Sequence, residues 1–179
     1  MLLEKFFDIF GIVISDDLSW ESNTQILVKR ANSRMIILRK LIEFEVKIEY
    51  LINIYVLFIR SVIEQSSVVW SSSLTCDEMA SLEMTQKMAF RLIFGPKYIS
   101  YQNALNLAKL PKIEERYKIL QLRFATKCTK NPKTADMFPL ARNVEKTRNQ
   151  EKFKVPMARK ERFLKSAIPT MARLLNENS

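Results

Sequence analysis

Two adjacent carboxylates, Asp16 and Asp17, follow the apolar segment Ile12–Ser15 and have the spacing closest to that of a catalytic site. Carboxylates at the end of a strand can hold the two metal ions used in phosphoryl transfer. The pair is not part of an aromatic-x-Asp-Asp sequence, however, and the chain after it leads into a helix cap rather than a second strand. Almost nothing precedes it to supply a third carboxylate. We therefore interpret Asp16 and Asp17 as a turn.

Other residue types with catalytic or metal-binding chemistry are scarce. The chain has no His, which is the usual general base for Ser and Cys nucleophiles and the commonest zinc ligand. Cys76 and Cys128 lie far apart with no further soft ligand to complete a tetrahedral site. Gly11 and Gly95 are the only glycines, so a Gly-rich phosphate loop cannot form. We predict a chain that does not catalyse a reaction, with no cofactor, no metal and two reduced thiols; a disulfide is the alternative.

The charge is strongly basic and unevenly distributed. The formal net charge is +10, from 29 Lys and Arg against 19 Asp and Glu, and residues 139–179 hold ten of the basic and four of the acidic residues. Such a surface favours polyanions, with a solvated surface of no binding role as the alternative. We expect no signal peptide at the start and no apolar stretch long enough to span a membrane. These features predict an intracellular protein of the cytoplasm or nucleus.

The spacing of apolar residues predicts a mainly α-helical bundle with one short N-terminal strand and an extended, basic C-terminal tail. The strand covers residues 9–14, and Ser22 or Asn23 can cap the first helix. Further helices are expected at about 47–64, 77–94, 101–107, 112–130 and 170–176. Gly95 and Pro96 end the 77–94 helix. The 47–64 helix is apolar nearly all round, which predicts a central position. The 112–130 helix has a predicted buried face at Ile113, Tyr117, Leu120, Phe124 and Cys128.

Several segments, in this order, resemble the C-terminal part of reverse transcriptases encoded by non-LTR (LINE-type, jockey-like) retrotransposons. They are Phe10–Ile14 with Leu18–Trp20; Lys29–Ala31 and Leu38–Leu41; Tyr55, Ile59–Glu64 and Val69–Trp70; Leu82–Glu83, Gln86–Lys87, Ala89 and Arg91–Gly95; Tyr101, Ala104–Leu105, Leu110–Pro111 and Glu115–Arg116; and Phe153–Pro156, Arg159, Arg162, Ser166, Ile168–Pro169 and Leu174–Asn176. The resemblance spans almost the whole chain. Tyr117 departs from it, because the family often has a second Arg there.

The resemblance implies that residues 1–20 are a remnant of the palm-end strand and turn, residues 21–130 a thumb-like helical bundle, and residues 131–179 a basic, weakly structured tail. The family's fingers and its aromatic-x-Asp-Asp palm motif would precede Met1, so the missing palm and fingers are implied partners. The chain would be a non-catalytic fragment of an RNA-directed DNA polymerase that holds an RNA/DNA template-primer through non-specific backbone contacts. Its expected nucleic-acid-binding residues are Lys29, Arg30, Arg34, Arg91, Arg116, Arg159 and Arg162.

Basic residues in the tail alternate with Phe153 and Phe163, which suggests base stacking as an additional contact. The alternative function is a helical protein-interaction scaffold with no role in nucleic-acid binding. The apolar 47–64 helix also predicts self-association, because a missing palm would leave apolar surface uncovered.

Overall fold

A computed structural model describes residues 6–9, 11–17, 19–141, 152–157 and 159–178. It is mainly helical with a two-stranded antiparallel sheet at the N-terminus, which confirms the predicted fold class. The chain divides into two compact units. Unit 1 comprises residues 1–66 and 74–115, and unit 2 comprises residues 67–73 and 116–179.

Unit 1 begins with a β-hairpin where a single strand was predicted. β1 (Phe6–Ile9) pairs with β2 (Ile12–Ser15), so that Ile9 lies opposite Ile12. Gly11 adopts a φ of +78°, in the left-handed region that favours glycine, and its amide donates to Asp8 Oδ1 at 2.8 Å. The predicted strand at 9–14 is therefore wrong in this respect, because Gly11 turns the chain in the middle of it.

The predicted turn at Asp16 and Asp17 is confirmed, and it leads into helix α1 (Glu21–Glu43). Asp17 Oδ1 accepts hydrogen bonds from Ser15 Oγ at 2.6 Å and from the Ser19 amide at 2.8 Å. The cap prediction is wrong, because Trp20 occupies the N-cap position and Asn23 lies inside the helix. The buried Asn23 Oδ1 instead accepts from the Val13 amide at 3.2 Å, which ties α1 to β2.

The second predicted helix is a continuous helical segment made of α2 (Ile48–Ile54), a π-helical stretch (Tyr55–Arg60) and α3 (Ser61–Ile63). Tyr55, Ile59 and Ile63 are fully buried, whereas Leu57 and Phe58 remain 66% and 47% exposed. The predicted central position therefore holds for one side of the segment only.

The remaining helices of unit 1 have clear start and stop signals. Thr75 and Glu78 form a reciprocal capping box at the start of α5 (Cys76–Phe94). Gly95, with a φ of +48°, ends α5 as predicted. After the 3₁₀ turn Gly95–Lys97, Ser100 caps α6 (Tyr101–Ala108) through the amide of Asn103.

The core of unit 1 lies between α1, the Ile48–Ile63 segment, α5 and α6. The ring of Phe90 packs edge-on against Tyr55, with 5.5 Å between ring centroids. The buried apolar side chains of these elements are Leu27, Ala31, Met35, Leu38, Leu51, Tyr55, Ile59, Val62, Ile63, Leu82, Ala89, Phe90, Ile93, Phe94, Ala104, Leu105 and Ala108.

Unit 2 is built on most of α7 (Ile113–Lys130), together with α4 (Ser67–Trp70) and the 3₁₀ turn Ser71–Ser73. Trp70 packs edge-on against Tyr117, with 5.4 Å between the ring centroids. Gln121 Nε2 donates a hydrogen bond to Ser71 Oγ at 3.2 Å. The predicted buried face of this helix is confirmed at Ile113, Tyr117 and Cys128, and it is wrong at Phe124. Gln121 and Ala125 are buried because their side of the helix faces the rest of unit 2, whereas Phe124 is 39% exposed.

The C-terminal tail is more ordered than predicted. After a 3₁₀ turn (Ala135–Met137), α8 (Glu161–Leu164) and α9 (Ala167–Glu177) follow, and α9 confirms the expected last helix. A buried cluster joins α7 and α9 through Ala125, Cys128, Phe138, Phe153, Met171, Ala172 and Leu175. Asn176 holds Phe153 by accepting from its amide at 2.8 Å and donating to its carbonyl at 2.9 Å. Much of the tail is thus packed because its few apolar residues share one core. The part of it at 142–151 lies outside the described residues.

Candidate nucleic-acid interface

The excess of positive charge is concentrated in unit 2. By sequence, unit 2 contains 16 Lys and Arg against 5 Asp and Glu, out of chain totals of 29 and 19, which leaves 13 and 14 for unit 1. The predicted electropositive tail is therefore part of a larger electropositive unit that also includes α7. The formal net charge is therefore +11 for unit 2 and −1 for unit 1.

The outer face of α7 has a row of cations that are not among the binding residues predicted from the sequence. Arg123, Lys127 and Lys130 follow at steps of four and three residues, so they share one side of the helix and span about 10 Å along its axis. All three are exposed, opposite the buried Tyr117 and Gln121. Within the described parts of the chain they have no hydrogen bond or ion pair. We call these three residues the α7 row.

The segment around α8 adds further exposed cations to unit 2. Arg159 and Arg162, both predicted site residues, are exposed, as are Lys152, Lys154 and Lys160. Lys165 is different, because it pairs with Glu161 at 2.6 Å. That pairing lowers the pKa of the Glu161 carboxyl through a hydrogen bond and the Lys165 charge.

The two tail phenylalanines expected to stack on bases lie in different surroundings. Phe153 is buried in the unit 2 core and cannot receive a base, which corrects that expectation. Phe163 is 49% exposed beside Arg162 and remains available for stacking. Arg116, the other predicted residue of unit 2, is half-buried near the start of α7 and makes contacts with other described residues.

The predicted residues of unit 1 do not form one surface. Lys29 and Arg30 are exposed on α1, but Arg34 turns away from Lys29 and donates to the Phe58 carbonyl at 2.7 Å. Arg91 lies over the ring of Tyr98, with 5.8 Å from its guanidinium to the ring centroid. The α1 cations are therefore divided between the two flanks of the helix, because residues 29 and 34 are five positions apart on a 3.6-residue period.

Lys29 and Arg91 line a groove between α1 and α5. Three neighbouring cavities of about 710, 460 and 450 Å³ lie along it and share Asn32. Its residues are Ser19, Glu21, Thr24, Gln25, Val28, Lys29, Asn32, Met35, Arg39, Thr75, Asp77, Glu78, Ala80, Ser81, Met84, Thr85, Met88, Arg91 and Leu92. We call this feature the α1–α5 groove.

A buried network of polar side chains connects the elements of unit 1. Gln86, which is fully buried, accepts from Tyr55 Oη at 2.8 Å and donates to Tyr101 Oη at 2.8 Å and to the Pro111 carbonyl at 3.2 Å. The Tyr101 hydroxyl in turn donates to the carboxylate of Glu83. The network therefore links the π-helical stretch, α5, α6 and the loop before α7.

Charged groups complete this network. Glu83 Oε2 accepts from the Ile113 amide at 2.9 Å. Arg60 is 2% exposed and pairs with Glu64 at 2.7 Å. Its guanidinium also donates to the Pro111 carbonyl at 3.5 Å. A buried guanidinium is tolerated because each of these acceptors compensates its lost hydration.

The two tyrosines of the network remain protonated. Burial raises the pKa of Tyr55 well above its usual value, while the nearby Arg60 charge acts in the opposite direction. Burial and the hydrogen bond to Glu83 likewise raise the pKa of Tyr101. Both hydroxyls therefore act as hydrogen-bonding groups that orient the helices of unit 1.

The described residues contain no cluster of three or more His, Cys, Asp or Glu side chains that could hold a metal ion. Cys76 is exposed and Cys128 is buried, and the two do not form a disulfide with each other. No single described helix is long and apolar enough to cross a membrane. The bent pair 48–63 and 67–73 meets the length and composition requirement, but its Tyr55, Ile59 and Trp70 are fully buried in protein.

Comparison with protein-family models, with curated proteins and with solved structures finds no match for this chain.

Proposed function

We propose that this chain is the non-catalytic, C-terminal thumb and tail of a non-LTR retrotransposon reverse transcriptase, and that it holds an RNA/DNA template-primer through its phosphate backbone. The observation that carries the binding part is the charge of unit 2, with 16 basic against 5 acidic residues. The contacts come from the α7 row, Arg159 and Arg162. Exposed cations without ion pairs can replace the counterions that surround the phosphates of a nucleic acid, and the release of those counterions favours binding.

The buried network of unit 1 supports the proposed origin. Segments that resemble the family at 55, 59–64, 82–83, 86–87, 101 and 110–111 are separate in sequence, yet Gln86 and Arg60 join them through polar side chains and the Pro111 carbonyl. A buried set of matched donors and acceptors specifies one arrangement of helices. The resemblance therefore concerns residues that determine a fold, rather than a run of degenerate helix patterns.

The remaining parts of the proposal follow from the origin. The palm and fingers of the parent polymerase are expected partners, the compartment is cytoplasm or nucleus, and the purified chain incorporates no nucleotide. A helical protein-interaction scaffold is the second candidate function. The α1–α5 groove favours it, since that groove lies in the unit with almost no net charge.

Titration of the chain with a fluorescently labelled RNA/DNA hybrid at several salt concentrations tests the binding proposal. Replacing the α7 row with glutamine (Arg123→Gln, Lys127→Gln, Lys130→Gln) should reduce the slope of log affinity against log salt by about 2–3, because each lost phosphate contact removes slightly less than one unit. The matched control changes three exposed lysines of unit 1 (Lys47→Gln, Lys97→Gln, Lys112→Gln) and leaves the slope nearly unchanged.

Two outcomes contradict the proposal. One is negligible affinity of the unmodified chain for the hybrid at low salt. The other is an equal reduction of the slope by both triple variants, which would mean that the total charge matters and that the α7 row does not.

A further inference from the structure

The α1–α5 groove contains buried polar atoms that the described chain does not satisfy. Thr24 is 2% exposed, and its Oγ1 has no hydrogen-bond partner. Asn32 Oδ1 is also buried without a partner. Both residues line the groove, and Asn32 borders all three of its cavities. A buried polar group without a partner is costly in a folded protein, so a hydrogen-bonding group from outside the chain would be stabilised at these two atoms.

The lining of the groove indicates the chemistry of that ligand. Val28, Met35, Met84, Met88 and Leu92 give it an apolar floor, and Met84 is 45% exposed. Flexible methionine side chains are frequent where a protein receives the apolar face of another helix. The groove extends from Glu21 to Arg39 along α1, which is about 27 Å at 1.5 Å per residue. That length accommodates a helix of about five turns.

Charge along the groove determines the direction of such a helix. The starts of α1 and α5 lie together, because Glu21 borders the same cavity as Asp77, and their ends lie together at Arg39 and Arg91. The groove is therefore net acidic at one end, where Glu21, Asp77 and Glu78 outnumber Lys29, and basic at the other. An antiparallel helix would bring its own acidic first turn to Arg39 and Arg91 and its basic last turn to Asp77, and it would oppose the dipoles of α1 and α5.

We propose that the α1–α5 groove binds an amphipathic helix of a partner protein, antiparallel to α1 and α5, with a hydrogen-bonding side chain within its apolar face opposite Asn32. The helix has acidic residues in its first turn and basic residues in its last turn. This surface lies in unit 1 and is independent of the α7 row.

Binding of synthetic 18-residue helical peptides to the full chain, measured by fluorescence anisotropy, tests the proposal. The forward peptide has an apolar stripe with one central Gln, Glu in its first turn and Lys in its last. The reversed peptide exchanges the Glu and Lys residues. We expect the forward peptide to bind about ten-fold tighter, which corresponds to about 1.4 kcal/mol. The variant Arg39→Glu with Arg91→Glu should abolish or invert that preference, whereas Lys47→Glu, outside the groove, should leave it unchanged.

The unpaired atoms provide a second, separate test. Thr24→Val with Asn32→Leu should raise the Tm of the unliganded chain, because it removes two unsatisfied groups. The same variant should bind the Gln-containing forward peptide about ten-fold more weakly and should prefer a version in which Leu replaces the Gln. A peptide preference that does not follow residue 32 would overturn the assignment of that contact.

Absence of binding by the forward peptide at about 100 µM, or equal binding of both peptides, would refute the proposed helix site. Displacement of the peptide by an RNA/DNA hybrid, prevented by Arg39→Glu with Arg91→Glu, would assign the groove to nucleic acid and would also refute it. Neither result depends on the hybrid titration of the α7 row, because that test changes residues of unit 2 only.

Discussion

Replacing Gln86 by leucine should destabilise unit 1 strongly, although leucine is similar in size and suits a buried position. The change removes three hydrogen bonds, to Tyr55, Tyr101 and the Pro111 carbonyl. Tyr101 retains Glu83, and the Pro111 carbonyl retains Arg60, so those two losses cost about 1 kcal/mol together. The Tyr55 hydroxyl is fully buried and loses its acceptor, which costs about 1–3 kcal/mol more.

We therefore expect the free energy of unfolding of unit 1 to fall by about 2–4 kcal/mol. The fall should be measured by equilibrium urea unfolding, followed by tryptophan fluorescence in a Trp70→Phe background. Trp20 belongs to unit 1 and Trp70 to unit 2, so the remaining Trp20 reports unit 1 without assuming that both units unfold together. The matched control is Gln25→Leu, an exposed glutamine bonded to Glu21, which should cost less than about 0.5 kcal/mol.

Adding Tyr55→Phe to Gln86→Leu distinguishes the network from simple packing. The double variant has no buried hydroxyl without an acceptor at position 55. Its free energy of unfolding should therefore be about 1–3 kcal/mol higher than that of Gln86→Leu alone. A Gln86→Leu protein within about 0.5 kcal/mol of the unmodified chain would refute the reasoning, as would a double variant that is less stable than the single one.

Three further predictions concern unit 1. Gly11→Val should lower the free energy of unfolding by at least about 1 kcal/mol, measured by the same unfolding assay, because a β-branched residue does not tolerate a φ of +78°. Raised pKa values of Tyr55 and Tyr101 mean that their contribution to stability is present below about pH 10 and is lost above it, as the unfolded tyrosines ionise first. The urea concentration at the unfolding midpoint should therefore decrease as the pH is raised from 8 to 11, and it should decrease less for Tyr101→Phe. The exposed Leu57 and Phe58 predict concentration-dependent self-association in sedimentation velocity, which Leu57→Glu with Phe58→Glu should suppress.

The helices could be predicted from the sequence because their signals are local. Apolar spacing located α1, α5 and α7, and Gly95 with Pro96 located the end of α5. The hairpin was missed because β-branched residues on both sides of Gly11 form one apparent run. The turn becomes evident only from the positive φ of that residue.

The candidate sites were less predictable, since they depend on which residues meet through space. Along the sequence the basic excess lies in the tail, whereas the division into units places most of α7 in the same basic unit as the tail. The α7 row could have been found from Lys and Arg at steps of four and three. In contrast, nothing in the sequence shows that Arg34 caps the Phe58 carbonyl, or that Thr24 and Asn32 lack partners.

Unit 2 is discontinuous in the sequence, which constrains the order in which the protein can form. Ser67–Ser73 leaves the ribosome before residues 74–115, yet Trp70 packs on Tyr117, which is synthesised later. During translation, unit 1 can therefore complete its core before the contact between Trp70 and Tyr117 forms. A growing chain that stalls shortly before residue 117 would lack the ring that packs on this indole, and a fragment that starts at residue 116 would lack the indole itself. For this chain, the length of the nascent polypeptide determines when the indole of Trp70 can pack on Tyr117.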